Sequence, residues 1–556
     1  MFLPTTPEEV KHHGWDALDV ILVTGDSYID SPYIGVAVIG KILTQAGYRV
    51  GIIAQPTETD IGRLGEPKLF WGVTAGSVDS MVANYTALKK RRKSDDYTPG
   101  GLNNRRPDRA CIVYTNWIRR FAKPARPIVL GGIEASLRRV PHYDYWSNSV
   151  RRSLLFDAKA DFLLHGMAEK SVLEFAGAFR AGNDPCAVRG LSYIAKEKPA
   201  DYLELPAYET VAADKTAFIE MFHTFYRNND PVSAKGLCQQ HGDRWLVQNP
   251  PPLSETQAEL DAIYALDYAR AQHPFYEKQG SVKALETIRF SISTHRGCYG
   301  ECNFCAIGVH EGRTIRSRSA ASIVREAEQL TKHPQFKGNI HDLGGPTANM
   351  YGFECDHKLQ HGACPKKRCI FPTVCSQLPV NYRPIIDVLR RVRALPGVKK
   401  VFVASGIRYD MALTDEYLRE LVTHHVSGQL KVAPEHTNDS VLVRMGKPGT
   451  ASLLQFKKKF DELSRAAGKP QFLTYYMVAA HPGCTDEDMV ELKRFTSEKL
   501  QINPEQVQIF TPTPSTYSTL MYYTEMDPFT REPIQVEKDL RRKERQKEIV
   551  TCKRTT

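Results

Sequence analysis

No uninterrupted apolar run in this 556-residue sequence approaches the ~20 residues that a membrane-spanning helix needs, so no helical membrane anchor is expected. The first residues, Met1-Phe-Leu-Pro4-Thr-Thr-Pro7, lack the basic patch and apolar core that mark secretion, and a cytoplasmic protein is expected. In that compartment the twelve cysteines are not expected to form a disulfide framework, because cytosolic reductants keep thiols free. Metal or cluster ligation is the reading they favour. A large excess of one charge sign is also missing: +11 over this length is evidence about solubility and does not establish a nucleic-acid partner. What is present, 42% hydrophobic and 25% charged residues, describes a globular chain, long enough for several domains of ~150 residues each.

Three of the cysteines stand in Ser293-Thr-His-Arg-Gly-Cys298-Tyr-Gly-Glu-Cys302-Asn-Phe304-Cys305. An iron–sulfur cluster normally takes one thiolate per iron, so a Cys-x3-Cys-x2-Cys loop with no fourth thiol beside it leaves one iron of a 4Fe-4S cube open. A structural zinc wants four ligands in two pairs, and the flanking His295 and His310 supply no second pair. Thiols packed as small apolar groups are the remaining alternative.

With this spacing, and with Phe304 just before the last cysteine, the sequence resembles the radical S-adenosylmethionine (SAM) superfamily. The resemblance implies that the open iron chelates SAM through its amino and carboxylate groups, and that one electron then cleaves SAM to a 5′-deoxyadenosyl radical. It also implies an electron donor such as a flavodoxin or ferredoxin.

The domain rhythm agrees with that resemblance. Residues 1–200 open with a strand at 19–24, a helix at 34–46 and a strand at 48–54, with further apolar runs at 69–73, 127–132 and 161–165 and a helix at 168–180. This is the pattern of a doubly wound, Rossmann-like α/β domain, and it resembles the cobalamin-binding-like domain that precedes many radical SAM cores. The family's motif for histidine-ligated cobalamin, Asp-x-His-x-x-Gly, is replaced by Asp26-Ser27-Tyr28-Ile29-Asp30-Ser31, so ligation by this loop is not expected and a structural or recognition role is favoured. Asp26, Tyr28 and Asp30 are candidate contacts, with a solvated polar turn as the alternative. The basic run Lys89–Lys93 and its continuation to Arg106 read as a surface loop without the interleaved aromatics of a single-strand binder. Residues 201–285, with Pro250–Pro252 and a helix expected over 255–270, read as a connecting segment.

Residues 286–530 alternate short apolar runs with helical segments over about six βα units, the pattern expected of a radical SAM partial (β/α)6 barrel, with chemistry at the carboxyl ends of its strands. By resemblance, Gly344 and Gly345 meet the methionine moiety through the main chain. Ser405, Arg408 and Glu435 stand at later strand ends, where Arg408 suits a carboxylate held by two parallel bonds and Ser405 and Glu435 suit a ribose. A Cys-rich insertion, 351–379, carries Cys355, Cys364, Cys369 and Cys375; a second metal site, zinc or an auxiliary cluster, and free thiols in a loop are both open readings. Residues 531–556 form a tail of mixed charge, helical or disordered.

The Gly344–Met350 run, the second cysteine set, the Asp26–Asp30 loop and Gln508–Pro514 together resemble the YgiQ-type radical SAM proteins over nearly the whole chain. The expected function is a radical SAM enzyme acting on an unknown substrate. Modification of RNA is an alternative that no recognisable RNA-binding module supports, and a non-catalytic iron–sulfur or zinc sensor or scaffold is another.

Overall fold

Val20-Ile-Leu-Val-Thr24 is apolar and buried along its whole length, as a strand covered on both faces must be. In the computed structural model, which describes residues 1–123, 125–411, 414–505 and 507–551, this strand is second from one edge of the nine-stranded sheet of the first of two units, residues 1–255 with 262–289. It pairs in parallel with Val50–Ala54 on one side and with Phe70–Thr74 on the other. Ile128–Leu130 and Phe162–Leu164 extend the parallel run. The helices Gly35–Gln45 and Glu169–Ala181 cover one face through Ala37, Leu43, Phe175 and Ala176, and Ala110–Phe121 packs against Phe70–Thr74. Because the strand order reverses direction at Val20–Thr24, the crevice beyond its carboxyl end is where such a sheet offers a ligand site.

The segment 201–285, expected as a connection, is instead built into this unit. Leu203–Leu205, Leu237–His241 and Arg244–Gln248 join the same sheet, entering it through antiparallel pairing of Arg244–Gln248 with Leu191–Ala195. The helix expected over 255–270 spans only Gln257–Tyr264. The basic loop also differs from expectation: Lys89–Lys93 are exposed, but the chain then turns inward and buries Asp95, Thr98, Asn103 and Arg106.

The second unit comprises residues 256–261 with 290–556. Its parallel pairings follow chain order: Ser291–Ser293 with Asp342–Gly344, Asn339–Ile340 with Lys400–Val401, Gln429–Glu435 with Phe472–Ala479, and the end of that strand with Gln508–Ile509. A parallel bridge from Ile407 to Val432 links the two halves. The helices Ala320–Thr331, Arg383–Arg393, Ala451–Ala466 and Asp486–Phe495 alternate with these strands, giving the expected partial barrel. Along Phe472–Ala479, Leu473, Tyr475, Met477 and Ala479 are buried in the core that these helices share, while Phe472 and Tyr476 on the other face stay exposed. Ser319 caps the helix Ala320–Thr331, accepting from Ser322 N at 3.1 Å.

The charged tail is a docked element. Helix Leu540–Thr551 packs against Asp486–Phe495 and buries Lys543, Gln546 and Val550. Its last residues, 552–556, lie outside the described residues.

Candidate iron–sulfur and cofactor site

The cysteine loop leaves the barrel after Ser291–Ser293 and is closed at its base by antiparallel pairing of His295–Arg296 with Arg316–Ser317. Gly297 lies in the left-handed region at φ +83°, and a side chain there would run into the Thr314 carbonyl. Asn303 pins the far side. Its N–H donates to Met445 O at 2.9 Å, its Nδ2 donates to Arg444 O at 2.8 Å, and its carbonyl accepts from Ser518 N at 2.8 Å.

These constraints bring the thiols together. A methyl group on Gly300 would stand 3.2 Å from Cys298 Sγ, 3.5 Å from Cys302 Sγ and 3.4 Å from Arg408 Nη1. Burial pushes the Cys298 thiol up, and the nearby Cys302 adds to the effect. The Cys305 thiol is pushed up further, by burial and then by both other cysteines. Three thiolates in one partly desolvated place are unfavourable until cations neutralise them, and cluster irons do that. Among the described residues, no three His, Cys, Asp or Glu side chains are gathered as the ligands of a single metal ion would be. An all-thiol donor set of this kind fits an iron–sulfur cluster.

The other expected residues surround this group with roles the sequence did not disclose. Gly344 O accepts from Thr294 N at 2.6 Å and from Thr294 Oγ1 at 3.0 Å. A methyl on Gly344 would lie 2.8 Å from Ser405 Oγ, and one on Gly345 would lie 2.5 Å from the His295 ring, so close packing of strand ends itself demands glycine here. The Ser405 hydroxyl donates to Asp342, whose other oxygen accepts from Ser405 N at 3.0 Å. Arg408 gives its forked edge to Asp410, Nε at 2.8 Å and Nη2 at 2.7 Å, and turns Nη1 to Cys302 Sγ at 3.6 Å. Glu435 sits at a bulge with φ +69°; burial pushes its carboxyl up, against the pull of Lys447 and Arg408. Phe304 meets the ring of His481 edge-on, 6.4 Å between centroids. Burial holds His481 near a pKa of about 3 and His295 near about 4, so both rings are neutral at physiological pH. Asp342, Asp410 and Lys447 were missed by sequence reasoning. Asp410 alone carried a signal, two residues beyond Arg408.

The arginines after the loop are internally paired: Arg313 with Glu301 at 3.0 Å, and Arg318 with buried Glu326. Of the second cysteine set, Cys369 lies 3.8 Å from Lys358 Nζ, and burial pushes its thiol to about 11, with Cys355 among the neighbouring charges. Cys375 is held low by the backbone at Gln377 and then by Lys367, and Cys364 is exposed.

In the first unit the candidate contacts Asp26, Tyr28 and Asp30 are all buried and partnered from within, although Asp30 Oδ1 has no hydrogen-bond partner among the described residues. Asp26 pairs with Arg106 at 2.5 Å and accepts from Ser77 N at 2.6 Å. Tyr28 OH accepts from Leu3 N at 3.0 Å, and Asp30 pairs with Lys41 at 3.1 Å. Arg106 also reaches Asp95 at 3.2 Å, donates from Nε to Gly25 O at 3.2 Å, and is 1% exposed. It fills the crevice at the strand reversal. Side chains on Gly25 or Gly76 would collide with Ala75 O and Asp26 respectively, so the two loops are closed on each other. The residues present therefore do not fit cobalamin in that crevice.

Three family models match the chain: "Radical SAM N-terminal" over residues 2–291, "Radical SAM superfamily" over 292–496, and a domain of unknown function over 505–554. A UPF0313 protein of Fusobacterium nucleatum is 57% identical, covering 100% of this chain and 99% of its own length. One from Thermotoga neapolitana is 50% identical with the same coverage. Among solved structures, the radical SAM methyltransferase TsrM of Kitasatospora setae, determined with cobalamin and a [4Fe-4S] cluster bound, superposes with a TM-score of 0.51 at 15% identity. That likeness covers 90% of this chain and 77% of TsrM, and it is a likeness of fold. Among the described residues no helix is long and apolar enough to cross a membrane.

Proposed function

The chain belongs to the UPF0313 family of the radical SAM superfamily, and from that premise we propose that it reductively cleaves S-adenosylmethionine and uses the radical to take a hydrogen atom from an organic substrate. The observation that carries this reading is the meeting of Cys298 and Cys302 at the bare α-carbon of Gly300, with the buried Cys305 thiol close enough to feel the charge of both. When bound, the cluster supplies one electron that breaks a carbon–sulfur bond of SAM, giving methionine and the 5′-deoxyadenosyl radical.

The chain's own residues bind and orient. Cys298, Cys302 and Cys305 would each hold one iron of the cluster. Gly345, whose side-chain position is taken by the His295 ring, meets the methionine moiety through its main chain. Glu435, which has no ion pair within 4 Å among the described residues, accepts from a ribose hydroxyl, and Ser405 lies at the neighbouring strand end. Phe304, braced by His481, shields the last cysteine. A flavodoxin or ferredoxin delivers the electron. No step is routed through cobalamin, since Arg106 fills the strand-reversal crevice.

The test is anaerobic reconstitution with iron and sulfide, addition of SAM and dithionite, and chromatography for 5′-deoxyadenosine. The expected result is production that disappears in Cys298→Ala. A fully loaded cluster that leaves SAM intact, with and without cell extract, would assign the protein to sensing or scaffolding instead.

A further inference from the structure

Arg408 was expected to clamp a carboxylate, yet the structure spends its clamp internally. Nε and Nη2, the pair of donors that would grip a ligand carboxylate, are both given to Asp410. One corner of the guanidinium is left, Nη1, and it points at Cys302 Sγ. The same atom lies beside the empty Cβ position of Gly300, which Cys298 Sγ also borders. A cation that cannot shed its proton is therefore fixed against two of the three cluster thiols, with 6% of its surface exposed.

We infer that Arg408 donates from Nη1 to the Cys302 thiolate and thereby raises the reduction potential of the cluster; the inference rests on the cluster assignment proposed above. Taking up one electron from the external donor makes the cluster and its thiolates one charge more negative. A donor that is fixed, positive and poorly screened stabilises that reduced form more than the oxidised one. Asp410 is the positioning residue: it holds the guanidinium plane so that Nη1 faces the sulfur. Lysine, a point charge on a flexible stem, cannot engage Asp410 with two parallel bonds and reach Cys302 together.

The experiment compares the full-length wild type with Arg408→Gln and Arg408→Lys, all reconstituted anaerobically. Iron and sulfide per chain are measured first. The cluster midpoint potential is then read by titration monitored by electron paramagnetic resonance without SAM, and SAM affinity is measured separately. Arg408→Gln is expected to load its cluster with a midpoint more negative than wild type, and Arg408→Lys to fall between. An unchanged midpoint in loaded Arg408→Gln overturns the inference, and so does an unchanged midpoint with SAM affinity weakened tenfold or more, which would make Arg408 a SAM contact. If Arg408→Gln does not fold, a lysine variant titrating at the wild-type midpoint overturns it. A wild type that binds no cluster removes the functional reading itself, whereas a loaded, SAM-cleaving wild type with unshifted variants removes only this inference.

Discussion

At the scale of single residues, the chain separates chemistry that a spacing can encode from chemistry that depends on a partner distant in sequence. Cys298, Cys302 and Cys305 were legible because three thiols at fixed spacing in a short loop have few other uses. Arg106 was not, because a run of basic residues reveals charge but not which cation turns inward. Its burial between Asp26 and Asp95 gives a sharp prediction. Arg106→Met leaves two buried carboxyls without their cation and should cost about 3–5 kcal/mol of unfolding free energy, read from urea midpoints. Burial already holds the Asp26 carboxyl above its ordinary value despite Arg106. A carboxyl with a raised native pKa takes up its proton in the folded state before the unfolded state does, so native stability gains as pH falls toward the ordinary carboxylate range. The deficit of Arg106→Met should accordingly be larger at pH 8 than at pH 5. A deficit independent of pH would mean that Asp26 is not the group left unpaired.

Elements were legible in proportion to how many of their faces are buried. The parallel strands of the first unit are continuous apolar runs because helices cover both sides, and they appear within a residue or two of where the sequence places them. Leu203-Glu-Leu205 and Leu237-Cys-Gln-Gln-His241 are short and half polar, so their place in the sheet comes from neighbours that no local pattern reveals. The same holds for Leu540–Thr551, whose charges of both signs resemble a solvated tail while Val550 is 2% exposed in the core. Val550→Asp buries an unpaired carboxyl and should lower stability by at least about 2 kcal/mol, whereas Arg541→Ala on the exposed side should stay within about 0.5 kcal/mol. Equal thermal midpoints for the two variants would return this helix to the status of a loose tail.

For the whole molecule, the question is what the first unit does, since its fold is shared with a protein solved with cobalamin bound. Fold and ligand part company at one place. A doubly wound sheet binds ligands where its strand order reverses, and here that crevice holds Arg106, Asp26, Asp95 and Gln55, with Gln55 Nε2 donating to Gly25 O at 2.9 Å and to Thr98 Oγ1 at 2.7 Å. Emptying it would mean breaking a buried ion pair with two acids and withdrawing the loop that carries Asp95 through Arg106, a larger cost than a ligand contact readily offsets. Equilibrium dialysis of the reconstituted protein against hydroxocobalamin should therefore leave no bound corrin absorbance, and added cobalamin should leave the yield of 5′-deoxyadenosine unchanged. One equivalent of retained cobalamin would show that the loop opens. In that case Arg106→Ala, which removes the plug, should bind it more tightly than wild type.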